Sequence, residues 1–239
     1  MMLANLPIVA QVGRLEPEVH LAGTARYALL DFIVEELPRW RDHPERKPET
    51  SERILTDQLC NHLNSSARIS IGWSRIQFSI ESPDEVKRGR SIDLVPKPCG
   101  VILLIEGRRH TQFDSLFPIE CKRLPTPPGK YRDDREYVVT DASTTGGIQR
   151  FKFGYHGAAH RVGAMIAYVQ EMTFSHWLTR INGWIQELSA EADSLWSDSD
   201  NLLLLKDDSA LGLCTLHSHH KREADLEEFE LRHLWVKMN

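Results

Sequence analysis

Apolar residues recur along this chain in two periods, and each period predicts a different element. From Thr24 to Leu37 they fall at Leu29, Leu30, Ile33, Val34 and Leu37, the spacing of one helix face. Trp40 to Pro48 is charged and holds two prolines, so it reads as a loop. A second helix follows, with Thr50 or Ser51 as its N-cap and Leu55, Leu59 and Leu63 at helical spacing. Glu52 falls in its first turn near the Leu55 and Leu59 face, and a carboxylate on the inward side of a helix needs a reason.

The period then shortens. Ile69, Ile71 and Trp73, then Ile76, Phe78 and Ile80, alternate with polar residues as strands do. Ser82 to Gly89 reads as a turn. Ser91 to Val95 reads as a short strand ending at Pro96, with further strands at Gly100–Glu106 and Leu116–Leu124. Arg123 to Gly147 is long and irregular, densely charged from Lys130 to Glu136, and a loop of that length in a compact domain is usually functional or disordered. Gln149 to Arg161 reads as a helix start broken by glycines, and Val162 to Val169 as a helix end running into a buried strand. Phe174 to Glu191 is amphipathic, with Trp177, Leu178, Ile181, Trp184, Ile185 and Leu188 on one side. Ser194 to Asp200 reads as a polar linker, and Leu211–Ser218 with Glu230–Lys237 as a terminal hairpin. The chain is expected to be α/β, with an N-terminal helical extension over 1–48 and the main domain over 49–239.

Composition narrows this picture. A chain of 239 residues suits one α/β domain with insertions, or at most two small ones. The net charge of −5 excludes a generally basic nucleic-acid binder, so any such contact needs a local patch or a partner. Cys60, Cys99, Cys121 and Cys214 form no CxxC pair and read as reduced thiols. Met1 to Val12 lacks the basic region of a signal peptide, and the longest apolar runs, such as Val101–Ile105, are too short to cross a bilayer. A cytoplasmic protein with no membrane partner is the expectation.

Candidate chemistry lies on two of the strands. Asp93 sits in the middle of Ser91-Ile92-Asp93-Leu94-Val95, where aspartate is disfavoured. Glu120 and Lys122 are two residues apart, so on a strand they share one face while Ile119 and Cys121 take the other. The plainer reading is a salt-bridge pair on an edge strand, but Phe117, Ile119, Cys121 and Leu124 argue for a buried one. If the Asp93 strand lies alongside, two carboxylates and an ammonium converge, a donor set suited to Mg²⁺ with a lysine beside a developing negative charge.

Glu52 on a helix, Asp93 on a strand and Glu120-Cys121-Lys122 on a later strand resemble, in that order, the PD-(D/E)XK nuclease superfamily. Ile92 stands where the literal motif has Pro, and the 27 positions from Asp93 to Glu120 are accommodated by a hairpin loop over Gly107–Ser115. Glu120-Cys121-Lys122-Arg123-Leu124, then Gly147-Ile148-Gln149-Arg150-Phe151, then Met165-Ile166-Ala167-Tyr168-Val169 are similar to defence-associated members. The resemblance covers roughly residues 50 to 170. It implies a restriction-endonuclease-like core, a central mixed sheet flanked by helices. It further implies a Mg²⁺- or Mn²⁺-dependent endonuclease hydrolysing DNA, an effector subunit of an antiphage defence or restriction system. Asp93, Glu120 and Glu52 would hold metal, Lys122 would support the nucleophile, Gln149 would face the site, and Arg150 and Arg123 would contact substrate. The chain has no Walker-type loop, so an ATP-driven step needs a sensor or ATPase partner, and a homo-oligomer is a further expectation. The alternative is a catalytically inactive module of the same fold, serving as a structural or DNA-binding subunit.

Other polar clusters have plainer readings. Tyr155, His156, His160 and Arg161 read as a solvated helix face, with the lining of a DNA groove as the sharper alternative. His217 and His219 share a strand face, but no nearby Cys, Asp or Glu completes a zinc site, so they read as a strand end before the basic turn Lys221-Arg222. Trp177 and Trp184 read as core or a partner interface.

Overall fold

The computed structural model describes residues 24–105, 107–129, 132–141, 143–223 and 225–238. Met1 to Val12, with Lys130 and Tyr131 of the charged loop, lie outside the described residues.

Helix α1 (Thr24–Arg41) runs a turn beyond the predicted Leu37, through Pro38. The extra turn buries Trp40 against the ring of Tyr168, with centroids 5.7 Å apart. Trp40 is thus core rather than loop. Helix α2 (Glu52–Ile69) begins after Ser51 and buries Leu55, Leu59, Cys60, Leu63 and Ala67. Each of its large aliphatic side chains contributes about 1.5–3 kcal/mol on full burial. α1 and α2 share one hydrophobic cluster with the sheet.

Seven strands form one mixed sheet in the order β1-β2-β5-β6-β9-β8-β7. β1 (Ile76–Pro83) pairs antiparallel with β2 (Ser91–Pro98). The expected alternation from Ile69 is not a strand: Ile69 ends α2 and both it and Ile71 are exposed. β2 continues past Pro96, which pairs with Phe78 of β1 and whose carbonyl accepts from Leu116 N at 2.9 Å. β3 (Leu103–Ile105) and β4 (Arg108–His110) form a separate hairpin turning at Gly107, where φ is +77°.

β5 (Ile119–Leu124), β6 (Val162–Val169) and β9 (Phe229–Lys237) are parallel neighbours. All eight residues of β6 are buried, as a strand covered on both faces requires. Ala164, Ile166 and Tyr168 face α1 and α2, while Met165, Ala167 and Val169 face α4 (Phe174–Ser189). Trp177 and Trp184 of α4 are core. β8 (Leu213–His220) closes the predicted terminal hairpin with β9, and the unpredicted β7 (Leu203–Asp208) adds an edge.

Two stretches expected to be irregular are tightly packed. Tyr137 and Val138 of the long loop are fully buried, and the carbonyls of Glu136, Tyr137 and Val138 accept from the amides of Gly147, Ile148 and Gln149. A Cβ on Gly146 would collide with the Val139 backbone and one on Gly147 with the Tyr137 carbonyl and the Met165 side chain, which explains the glycine pair. The polar linker holds a short 3₁₀ turn, Asp198–Asp200, and buries Asp200 and Trp196. α3 (Gly147–Lys152) is only six residues long, and the predicted continuation to Arg161 is a series of turns. Among the described residues, no helix is long and apolar enough to cross a membrane.

Candidate functional site

β5 is hydrogen-bonded along its whole length to β6, but on its other edge it pairs with β2 only at Leu94↔Ile119. Beyond that point the two strands diverge, and β5 amides need other acceptors. Two carboxylates supply them. Asp93 Oδ2 accepts from Cys121 N at 2.8 Å, and Glu52 Oε2 accepts from Arg123 N at 3.0 Å. Alternate residues of a strand lie roughly 6.5–7 Å apart, so the acids are spaced one strand repeat along the gap. Glu52 therefore turns inward because α2 starts beside that edge.

Glu120 and Lys122 project from β5 together, as their spacing predicts. Lys122 Nζ lies 3.1 Å from Glu120 Oε1 and 3.5 Å from Glu52 Oε1. Glu120 Oε1 also pairs with Arg150 of α3, and Oε2 lies 3.2 Å from His156 Nδ1. Glu120 is wholly buried and Lys122 is 5% exposed.

The charges do not balance evenly. Burial pushes Asp93 up to about 7, and the negative charge of Glu120 adds to that. Burial also pushes Glu120 upward, but Lys122, His156 and Arg150 outweigh it and hold the carboxyl well below the usual range. Lys122 is the reverse: burial disfavours its charge, yet Glu120, Glu52 and Asp93 keep it protonated beyond the usual lysine range. Lys122 is thus a fixed cation, suited to stabilising negative charge rather than to taking a proton. A cleft of ≈ 160 Å³ opens on Asp93 and Glu52, lined besides them by Arg53, Thr56, Ile80 and Glu81; Glu120 and Lys122 lie behind its lining.

Glu52, Asp93, Glu120, Lys122 and Arg150 are therefore brought together. Two predicted residues are not. Gln149 turns its amide oxygen back to Gly146 N at 3.2 Å and Thr140 N at 3.4 Å, because the loop packed against α3 offers those donors. Arg123 directs its guanidinium to the Thr50 carbonyl, leaving only its backbone amide at the site. The buried Nε atoms of Arg150 and Arg123 have no hydrogen-bond partner.

His156 is the site residue that sequence reading misplaced on a solvated face. Gly154 and Gly157, at φ +63° and +64°, fold the chain so that His156 points inward. Those two glycines around Tyr155-His156 were the available signal. His160 is also buried, while Arg161 is exposed as expected, so the solvated face fails at the two histidines. Glu81 is a second omission. It has φ +47° and is skipped by the register between Ile80↔Leu94 and Ser82↔Ile92, which sets it beside Asp93 at the cleft.

Glu52, Asp93 and Glu120 do not form a closed ligand triad, since Lys122 stands between Glu52 and Glu120. Among the described residues, the group of three ligand side chains whose donor atoms lie within 4.8 Å of one another is His217, His219 and Glu230. Comparison with protein-family models, curated proteins and solved structures found no match for this chain.

Proposed function

We propose that the protein is a Mg²⁺- or Mn²⁺-dependent nuclease hydrolysing phosphodiester bonds of DNA. One observation carries this reading: two carboxylates, Asp93 and Glu52, occupy the gap between β2 and β5 beside a buried lysine and an open cleft. Oxygen donors of this kind suit a hard dication. Asp93 is under-compensated as it stands, which favours a cation next to it. Lys122 and Arg150 take both lone pairs of Glu120 Oε1, so Glu120 would join as a ligand through Oε2, whose one partner is His156. A bound dication would supply Lewis-acid polarisation of the phosphate and activation of water.

The chain's own residues supply the rest. Lys122 stabilises negative charge on the attacking oxygen or on the phosphorane. Arg150 retains a buried, unpaired Nε, which would donate to a non-bridging phosphate oxygen only once the side chain turned toward the cleft. His156 and Arg150 orient Glu120 through contacts to its two oxygens. The mixed sheet flanked by helices is compatible with a restriction-endonuclease-like core, and the placement of Glu52, Asp93 and Glu120-Cys121-Lys122 supports that finer reading. The defence setting, and a sensor or ATPase partner that would bring this acidic chain to DNA, rest on the sequence resemblance.

The test is cleavage of plasmid, linear and single-stranded DNA with Mg²⁺ or Mn²⁺, run beside Asp93→Ala. Cleavage that needs the dication and disappears in the variant is the expected result. A second reading has its own support: every Glu120 oxygen is already held by a cationic or imidazole partner, as in a fold module that has stopped catalysing. No cleavage by the folded wild-type chain of any of the substrates, with either metal, favours that reading.

A further inference from the structure

A second cluster of ligating side chains lies on the outer strands, separated from β5 by β6. His217 and His219 are on the same face of β8, and register sets Glu230 of β9 directly across from His219. We infer that His217, His219 and Glu230 form a binding site for a transition-metal dication of the Zn²⁺ type, with its fourth position open to solvent.

The distances carry the inference. His217 Nδ1 and His219 Nε2 are 3.3 Å apart, and donor atoms of all three residues lie within 4.8 Å of one another. Two nitrogens bound to tetrahedral Zn²⁺ at about 2.0–2.1 Å stand about 3.3 Å apart by trigonometry. A hydrogen bond between the two imidazoles is the plainer alternative; 3.3 Å is at its long end and equals the spacing of two nitrogens on one tetrahedral metal. The rings are held edge to face at 88°, so the nitrogens meet without the rings stacking.

Glu230 is already oriented for the task. Its Oε2 accepts from the Tyr27 hydroxyl at 2.5 Å and its Oε1 from Arg232 Nε at 2.6 Å. Each oxygen keeps a second lone pair for a metal. Partners of this kind fix the direction of a ligating carboxylate. Arg232 is the cost, since its charge opposes a dication. Its guanidinium packs over the Tyr27 ring, 4.9 Å from the centroid. His219 is 44% exposed in its side chain, which gives metal and water a way in. The imidazole–carboxylate set selects Zn²⁺ or its analogues over Mg²⁺.

The experiment starts from metal-free protein. Co²⁺ is titrated in while its visible absorption is recorded, and Zn²⁺ binding is measured by calorimetry. The expected result is one equivalent with an intense tetrahedral Co²⁺ band, retained in Asp93→Ala and lost in His217→Ala/His219→Ala. Glu230→Gln should weaken Zn²⁺ by roughly tenfold or more. Zn²⁺ should raise the Tm of the wild type and not of the double variant. If the double variant does not fold, the exposed His219→Ala carries the comparison. No Co²⁺ band, a band that survives removal of the histidines, or unchanged affinity in Glu230→Gln overturns the site.

Discussion

Glu120 and Asp200 are both wholly buried carboxylates, and the short helix α3 gives each a cation, Arg150 to one and Lys152 to the other. Each also meets a histidine, His156 or His220. Burial pushes both upward, and in both the partners win and hold the carboxyl below its usual range. Their surroundings differ. Lys152 Nζ lies 2.9 Å from both Asp200 oxygens, and His220 Nδ1 lies 2.5 Å from Oδ1. Ser218 Oγ then bridges His220 at 2.7 Å and His233 at 2.8 Å, and the Tyr137 hydroxyl joins His233 at 2.8 Å to Trp235 at 2.9 Å. Asp200, His220 and Ser218 follow the order of a hydrolase triad, yet Ser218 is fully buried with its hydroxyl shared between two imidazoles, so it is closed to a substrate.

Around Glu120 the closure is incomplete. Asp93 beside it is pushed up to about 7, Arg150 Nε is unpaired, and a cleft reaches Asp93 and Glu52. The contrast teaches that burial and charge alone do not mark a reactive site. What distinguishes one is an imbalance that a ligand can correct and a path for that ligand.

Four measurements would break or sharpen this comparison. Lys152→Met should be the most damaging to the fold, because it leaves the buried Asp200 carboxylate without its lysine, with His220 and the Ser197 amide among its remaining partners; urea unfolding should show a loss of about 3–5 kcal/mol. A loss within the exposed-pair range of about 0–1 kcal/mol would remove the closed cluster from the structural account. Lys122→Ala should act on rate instead, lowering cleavage about 10²–10³-fold. Its stability should change less than that of Lys152→Met, since Arg150 and His156 still face Glu120. Undiminished cleavage by folded Lys122→Ala would end the catalytic reading.

Asp93 and Asp200 should also respond oppositely to pH. Asp93 is raised from 3.8 to about 7, so its stabilising contribution is complete below pH 3.8 and lost as pH rises through about 7. Asp200 is lowered from 3.8, so its contribution is present above that value and lost as pH falls. In EDTA, Asp93→Asn should remove a decline in urea midpoint between pH 4 and 7, as judged by the difference from wild type. Identical slopes would contradict the strained carboxyl. The smallest effect belongs to Gln149→Ala, which removes a helix-end acceptor worth about 1 kcal/mol. Cleavage should be unchanged; a large fall in rate would return Gln149 to the site that the resemblance implies.

Much of the architecture was legible along the chain. Leu55, Leu59 and Leu63 mark α2, and the aromatic stripe of α4 marks a buried face, because a helix exposes its period wherever one side meets a core. Asp93 on β2 and the paired projection of Glu120 and Lys122 were readable for the same reason, since strand alternation is local. Ile69 and Ile71 misled because alternation without a partner strand makes no strand. β7 escaped notice because Leu203, Leu204 and Leu205 form an apolar run with no alternation, on an edge that leaves all three exposed.

By itself the sequence determined which residues share a face: Glu120 with Lys122, His217 with His219, and the apolar sides of α2 and α4. Those are consequences of backbone period, which acts over a few residues. Only the tertiary structure decided which faces meet. It divided the long loop's neighbours, sending Arg150 and His156 to Glu120 and Gln149 to the helix cap, and it brought Glu230 across to the two histidines. Those contacts join residues far apart in the chain, and they depend on strand register, on where β2 leaves β5, and on turns at Gly154 and Gly157.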